Sequence, residues 1–398
     1  MIFLKGGMNM SCVVGIICEY NPFHKGHKYQ IDKIREEMPD ATIVAIMSGN
    51  IVQRGEFAII DKYERARIAL ECGVNLVVEI PYPFSGSTAE VFANAGVEIA
   101  NKIGCDYLYF GTEELEIKKI EKIAKIIDSD EFIEELKKAK SEKNSSFIAA
   151  KSEALNKLGY ELPTSANDML ALEYIRAIKK KKINLIYRSI LRIGAKYNDI
   201  AKNDIMSASA IRKHYFEHDE FVSVPSETKV FYDKIAKEGL CLDKDFFDKF
   251  MHTHSLLNID INGKYFDTSI EMLSLIKKLA KECNNSQEFV ASLSSKAFTT
   301  ARLRRTILYT VFNINYVDFT PKFTILLGMD ESGKKQMNKV KKNEEFTIVT
   351  KHSDSKKLDR VSFEYLEKSY MVDALYNTML KKQLKVNLAY KQTPIIKQ

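Results

Sequence analysis

No stretch of the chain approaches the roughly 20 consecutive apolar residues that a membrane-spanning helix needs, so no membrane association is expected. No two of its six cysteines form a CxxC pair, and no histidine stands at zinc spacing from any of them. Cys12, Cys18, Cys72, Cys105, Cys241 and Cys283 are scattered, mostly in apolar segments, and read as small hydrophobes in a reducing cytosol. A secretory leader is lacking as well. Met1 to Met10 carries one lysine and no long apolar run. Regular patterning begins only at Ser11, which makes Met8 or Met10 a candidate start and a cytoplasmic location the expectation. There is no internal repeat and no low-complexity tract, and no motif sets an oligomeric state.

What is present is ample apolar material. The 398 residues are 45% hydrophobic and 28% charged, the balance of a soluble globular protein long enough for two domains. The net charge of +7 is uneven: residues 301–398 sum to +9, and the first 300 to −2. A single lysine run is usually a solvated helix face. A basic part joined to a near-neutral part points instead to a polyanionic partner, nucleic acid above all.

The first third has the punctuation of an α/β fold. Cys12 to Cys18, Thr42 to Met47, Leu76 to Ile80 and Asp106 to Phe110 are apolar runs of strand length. Helical stretches separate them, from about Gly26 to Met38, from Asp61 to Gly73 and from Ser87 to Gly104. The last two open on capping boxes, Asp61–Glu64 and Ser87–Glu90. This alternation predicts a doubly wound parallel sheet, in which ligands bind beyond the carboxyl ends of the strands. The unusual segments 19–27, 48–56, 81–88 and 111–113 all fall there. Further on, 117–182 reads as helical and Lys-rich, with a break over Leu162–Asn167. Ile183–Tyr187 reads as a fifth strand, followed by Arg188, Arg192 and a loop at Tyr197-Asn198-Asp199. A boundary at Ser223-Val224-Pro225 predicts a nucleotide-binding domain over 10–222 and a mostly helical, basic domain over 223–398. Helices are expected near 226–238, 268–283 and 299–313, with strands at Phe323–Leu327 and Phe346–Thr350.

Three constellations carry chemistry. In His24-Lys25-Gly26-His27, two imidazoles three residues apart at a helix mouth can face its N-terminus, where free N–H groups and the dipole favour an anion. Gly26 removes the Cβ that would hold a phosphate off the backbone. Imidazole N–H groups can donate to charge growing on a phosphoryl group. An isolated HxxH is more often a pair of exposed histidines, a zinc site would need a third ligand nearby, and a general base would need an orienting group. Its place after the first strand favours phosphate. In Ser207-Ala208-Ser209-Ala210-Ile211-Arg212, hydroxyls at a helix start can cap it or bind phosphate, with Arg212 one turn on. Met47–Glu56 is a long loop with two glycines and one arginine, of a functional rather than connecting kind.

Together these residues resemble the HxGH nucleotidyltransferase superfamily, adenylyl-transferring relatives of class I aminoacyl-tRNA synthetases. The fuller set GIICEYNPFHKGH, MSGNIVQRGE, FGTEE, SANDMLALEYI, the Arg192 segment and SASAIR is similar to the tRNA(Met) cytidine acetate ligase family. The likeness is close from about Met10 to Arg212, and looser through Thr300–Arg305 and Ile325–Met329. It implies activation of acetate by ATP, with Mg²⁺, to acetyl-adenylate and pyrophosphate. Transfer of the acetyl group to N4 of the wobble cytidine of elongator tRNA(Met) would follow. The implied ATP contacts are Ile17, Cys18, Glu19, Tyr20, Asn21, Pro22, Phe23, His24, Lys25, Gly26, His27, Lys28, Tyr29 and Gln30, with Gly111, Asn167 and Arg192. His24 and His27 would hold the phosphates, and Ser207, Ser209 and Arg212 match a synthetase-like second signature. Lys25 and Asp168 stand where relatives often carry Asn.

The basic part would grip the RNA backbone, with Arg302, Arg304 and Arg305 as candidate tRNA contacts and a solvated or core-bordering helix as the competing reading. A wobble cytidine is single-stranded and can be splayed into a pocket without opening a duplex. A small-molecule adenylyltransferase is the alternative within enzymes, and the basic 301–398 region argues against it.

Overall fold

The computed structural model describes residues 12–113, 116–142, 147–192, 205–295, 297–340 and 345–398. Its centre is β1 (Val13–Cys18), buried at five of six positions because helices cover both faces of the sheet. The chain passes through α1 (Lys25–Glu37) into β2 (Thr42–Ser48), which runs parallel to β1 from Val13 opposite Thr42 to Cys18 opposite Met47. A short hairpin, β3 (Ile51–Val52) with β4 (Glu56–Phe57), occupies the long loop after β2. Then come α2 (Lys62–Glu71), β5 (Leu76–Ile80), α3 (Ala89–Ile103), β6 (Tyr107–Thr112) and β7 (Ile186–Leu191). Asp61 caps α2, its carboxylate accepting from Tyr63 N. Thr88, not Ser87, caps α3, which ends at Gly104 in the left-handed conformation that glycine permits.

Three further strands, β8 (Phe323–Met329), β9 (Thr347–Val349) and β10 (Ile395–Ile396), complete a sheet of order β10-β8-β5-β2-β1-β6-β7, with β9 beside β8. From β1 the chain steps outward through β2 to β5, then returns to β6 on the other side. The switch point therefore lies between β1 and β6. Two expectations change. The fifth strand lies at 186–191 rather than 183–187. The strands expected after residue 320 join the first sheet, β8 running antiparallel to β5, so the sheet is mixed and draws on both sides of Ser223-Val224-Pro225. The rest of the later chain is mainly helical, including Lys244–Leu257, Ile270–Glu282, Thr300–Val311 and Arg360–Thr378. The loop 197–199 lies outside the described residues. No described helix is long and apolar enough to cross a membrane.

A buried ionic group fastens the last long helix to the sheet. Lys62 Nζ lies 2.6 Å from Glu79 of β5 and 2.6 Å from Asp373 of Arg360–Thr378. Asn50 Nδ2 donates to Asp373 Oδ1 (3.0 Å) and to Asp61 Oδ2 (3.1 Å), and its Oδ1 accepts from Lys62 N (2.8 Å). Two buried carboxylates share one ammonium, an arrangement that favours retention of a proton. Burial, with the neighbouring Glu79 charge, pushes the Asp373 carboxyl up to about 7, against the pull of Lys62. The native state therefore holds a proton that the unfolded chain releases near the ordinary carboxylate range, and stability falls as pH rises through that window. The melting temperature should decline between about pH 4 and pH 7, and Asp373→Asn should flatten the decline. An unchanged slope in the variant would remove Asp373 as its source.

Candidate nucleotide site

Four loops meet at the carboxyl edge of the sheet, and one side chain organises two of them. Arg65, fully buried on α2, donates Nε to Ile60 O (3.0 Å). It donates Nη1 to Glu19 O (2.5 Å) and Ser48 O (3.2 Å), and Nη2 to Gly49 O (2.7 Å). The segment after β1 is held from other sides too. Asn21 Oδ1 accepts from Ile59 N (2.8 Å), Asn21 O from Arg212 Nη1 (2.7 Å), and Phe23 O from the Tyr232 phenol (2.7 Å). Ile17, Tyr20, Pro22 and Phe23 thereby pack in the core, as the scaffold of the motif. Lys28 pairs with Asp32, and Tyr29 and Gln30 lie half-buried along α1.

The two histidines close the start of α1 on each other. Gly26 N donates to His24 Nδ1 (3.0 Å), and His24 N donates to His27 Nδ1 (3.2 Å). A ring nitrogen that accepts carries no proton, so these bonds place the proton of each neutral ring on Nε2. Burial, then the nearby Arg192 charge, lowers His24 to about 3. Burial, His24 and Arg192 lower His27 well below the usual histidine range. The rings stack at 3.8 Å between centroids. Both are neutral Nε2–H donors near pH 7.

The helix N-terminus works differently from the sequence-based expectation. Its first two N–H groups are already used, Lys25 N on Ser223 O (3.0 Å) and Gly26 N on His24. That leaves side chains, rather than these two backbone donors, to meet an anion. Glycine at 26 makes room for the ring, because a Cβ there would come within 2.9 Å of His24 Cε1.

Across the switch point, Gly111, Asn167 and Arg192 come together as expected. Arg192 Nη1 donates to Asn167 Oδ1 (3.2 Å), Asn167 Nδ2 bonds Glu113, and a Cβ on Gly111 would crowd Arg192 Cγ at 3.0 Å. Glu113, 4.0 Å from Arg192 Nε, is a member that the sequence reading passed over. Asp168 is buried and accepts from Glu113 N (2.9 Å), so it holds this loop instead of pointing outward. Glu114 lies outside the described residues.

On a third side, Ser207 Oγ caps its own helix, Ala208–His218, by accepting from Ala210 N (3.2 Å), and Ser209 Oγ accepts from Arg212 Nη2 (3.5 Å). Arg212 also lies 3.8 Å from Glu56, which Arg304 bonds directly. The exposed Arg54 repels both guanidiniums. Arg212 and Arg304 therefore share Glu56 with Arg54 close by, and the Glu19 charge also acts on Arg212. Arg302 pairs with Asp267 at 2.7 Å. Arg305 is not available to an RNA backbone: it is 7% exposed and donates Nη1 to Gln53 O (3.1 Å). Two cavities of about 390 and 420 Å³ open between α2 and the C-terminal strand and include none of these groups.

Among the described residues no three His, Cys, Asp or Glu side chains converge to hold a metal. Gly26→Ala should displace the His24 ring and lower affinity for a nucleoside triphosphate by roughly tenfold, with little change in melting temperature. Calorimetric titration with a non-hydrolysable analogue reads this, and an unchanged affinity would show that His24 can move without loss.

The model of the family described as HIGH Nucleotidyl Transferase matches residues 10–391. The tRNA(Met) cytidine acetate ligase of Ligilactobacillus salivarius is 35% identical over 370 residues, covering 89% of this chain and 93% of that protein. The protein of the same name from Fusobacterium nucleatum is 31% identical over 97% of this chain and 98% of its own length. The crystal structure of Thermotoga maritima TmcAL bound with α-thio ATP superposes with a TM-score of 0.87 at 27% identity, covering 97% of this chain and 99% of that one. On these matches, end to end and with the motif's geometry intact, the chain belongs to the HIGH nucleotidyl transferase family and, within it, to the tRNA(Met) cytidine acetate ligases.

Proposed function

We propose that the protein activates acetate with ATP to acetyl-adenylate and passes the acetyl group to N4 of the wobble cytidine of elongator tRNA(Met). The observation that carries this reading is the pair of neutral imidazoles whose Nε2–H groups make no hydrogen bond among the described residues, with the Arg192 charge acting on both. A neutral donor costs little to desolvate and strengthens its hydrogen bond as charge grows on the phosphoryl oxygens, which is what a displacement at the α-phosphorus requires. A carboxylate oxygen of acetate forms the new O–P bond while the bond to the β-phosphate oxygen breaks and pyrophosphate leaves. Arg192, fixed by Asn167, would hold the nucleotide. Arg212, with Ser209 beside it, would hold the departing phosphates. Mg²⁺ would enter on the triphosphate, held by phosphate oxygens and water, since no three His, Cys, Asp or Glu side chains converge among the described residues.

The acceptor half of the reading rests on charge. Residues 301–398 carry a net +9, and Arg302 and Arg304 remain partly exposed on their helix. Contacts of this kind bind phosphate backbone without reading sequence, and salt weakens them.

Two outcomes are expected. Acetate should stimulate ATP–pyrophosphate exchange, and His27→Ala should abolish the exchange while tRNA binding persists. An exchange rate indifferent to acetate would end the ligase reading. Arg302→Ala with Arg304→Ala should weaken tRNA binding and shallow its dependence on log salt by about one to two contacts. An unchanged slope would take both arginines out of the RNA contact.

A further inference from the structure

Arg305 is a buried cation without a carboxylate of its own among the described residues. Among the described residues it makes no ion pair. Asp267, the carboxylate whose charge acts on it, is taken by Arg302 at 2.7 Å. Nη1 donates to Gln53 O and the Tyr309 phenol lies alongside, but Nε is buried without a hydrogen-bond partner. The contrast with Arg65 is instructive. That guanidinium is also buried and unpaired, yet it spends Nε, Nη1 and Nη2 on four carbonyls. A buried N–H left unmade costs free energy unless a group absent from the free protein completes it.

The place of this orphan donor is informative. Gln53, whose carbonyl takes Arg305 Nη1, donates its own N–H to Glu19 Oε1 (3.0 Å) on the segment leading into His24. Gln53 Nε2 donates to Ser87 O (3.3 Å), and Tyr309, one turn beyond Arg305, donates to Gly86 O (3.1 Å). Arg305 therefore stands where the loops after β1, β2 and β5 meet. In the third of these loops, Tyr82 Oη and Ser85 Oγ are also buried without partners. The loops close tightly there: a Cβ at Gly86 would lie 2.7 Å from Ile51 Cγ2 and 3.0 Å from the Tyr82 ring.

Nη1 is on Gln53 O and the Tyr309 phenol is hydrogen-bonded to the guanidinium, so Nε is the donor left open, on the Nε–Nη2 edge whose planar fork matches a carboxylate in two parallel hydrogen bonds. We propose that Arg305 is the binding residue for the carboxylate substrate, holding acetate by its Nε–Nη2 edge and supplying its counter-charge. The assignment rests on the acetate-activating reading given above. In this arrangement the fork takes the syn lone pairs of the two oxygens. An anti lone pair of one oxygen then forms the O–P bond at the α-phosphorus, the α–β P–O bond breaks, and pyrophosphate carries away the electron pair.

Arg305→Lys keeps the charge and loses the fork, and Arg305→Ala removes both. In acetate-dependent pyrophosphate exchange, the lysine variant should raise KM for acetate by roughly tenfold or more and leave KM for ATP unchanged. In the alanine variant, added guanidinium ion should restore part of the rate. Line broadening of ¹³C-acetate by the intact protein, saturable and lost in both variants, supplies a readout independent of catalysis. A lysine variant with unaltered acetate KM and unaltered line broadening would overturn the assignment while leaving the ligase reading in place. If the alanine variant does not fold, the lysine variant decides the matter. If intact protein neither broadens the acetate signal nor responds to acetate in exchange, both readings fall. If it broadens the signal without exchange, with the effect lost in the lysine variant, the carboxylate site stands and the ligase reading falls.

Discussion

The geometry of the site depends on one guanidinium. Arg65 sits at the core-facing side of α2 and donates to carbonyls from the ends of β1, β2 and the loop before its own helix. Loops at a sheet edge leave carbonyls that no neighbouring strand can satisfy, and burying them unmet is costly. A cation that meets four of them, at about 1.5–3 kcal/mol for each charged hydrogen bond, turns separate loops into one rigid floor. The histidine motif stands on that floor. Gln53 adds the second tie, since its three polar groups reach the loop after β1, the loop after β5 and the helix Thr300–Val311.

On this floor the proposed site sets neutral donors against a polyanion. A protonated histidine pair would bind ATP strongly through charge, but equally in ground state and transition state, which lowers KM without accelerating the step. Burial and Arg192 keep both rings neutral. The permanent positive charge is kept at a short remove, on Arg54, Arg212 and Arg304 around Glu56. That division places long-range attraction at the rim and short, strengthening hydrogen bonds at the reacting phosphate.

The sequence was most legible where burial is symmetric. β1, β2, β5 and β6 are unbroken apolar runs because both faces are covered, and their bounds were read to within two residues. β7 was misplaced because it is an edge strand, with half-exposed residues and no apolar run to mark it. That β8 would pair with β5, about 250 residues earlier, follows from no local pattern. The motif histidines were legible from their spacing after the first strand, and Gly111, Asn167 and Arg192 only through the family resemblance. Arg65, Lys62 and Arg305 were not recognised as buried, because an arginine or lysine reads as a surface residue unless its partners are known, and here those partners lie on other loops and strands. The one local signal was their position: Lys62 and Arg65 share a helix face with Ile68 and Ala69.

The same contacts explain why the later half of the chain is needed for chemistry at the first. Helix Thr300–Val311 supplies Arg304 and Arg305 to the loop after β2, and helix Arg360–Thr378 supplies Asp373 to the Lys62 group behind it. An acyl-adenylate is an activated ester that water destroys, so the acceptor must be delivered to a site already closed and correctly placed. Joining the basic region to the activation site through shared loops and a shared sheet removes the freedom that a flexible linker would leave. Loss of a contact such as Arg304 with Glu56 would thus act on both ends at once, loosening the phosphate rim while shifting the face that carries the positive charge.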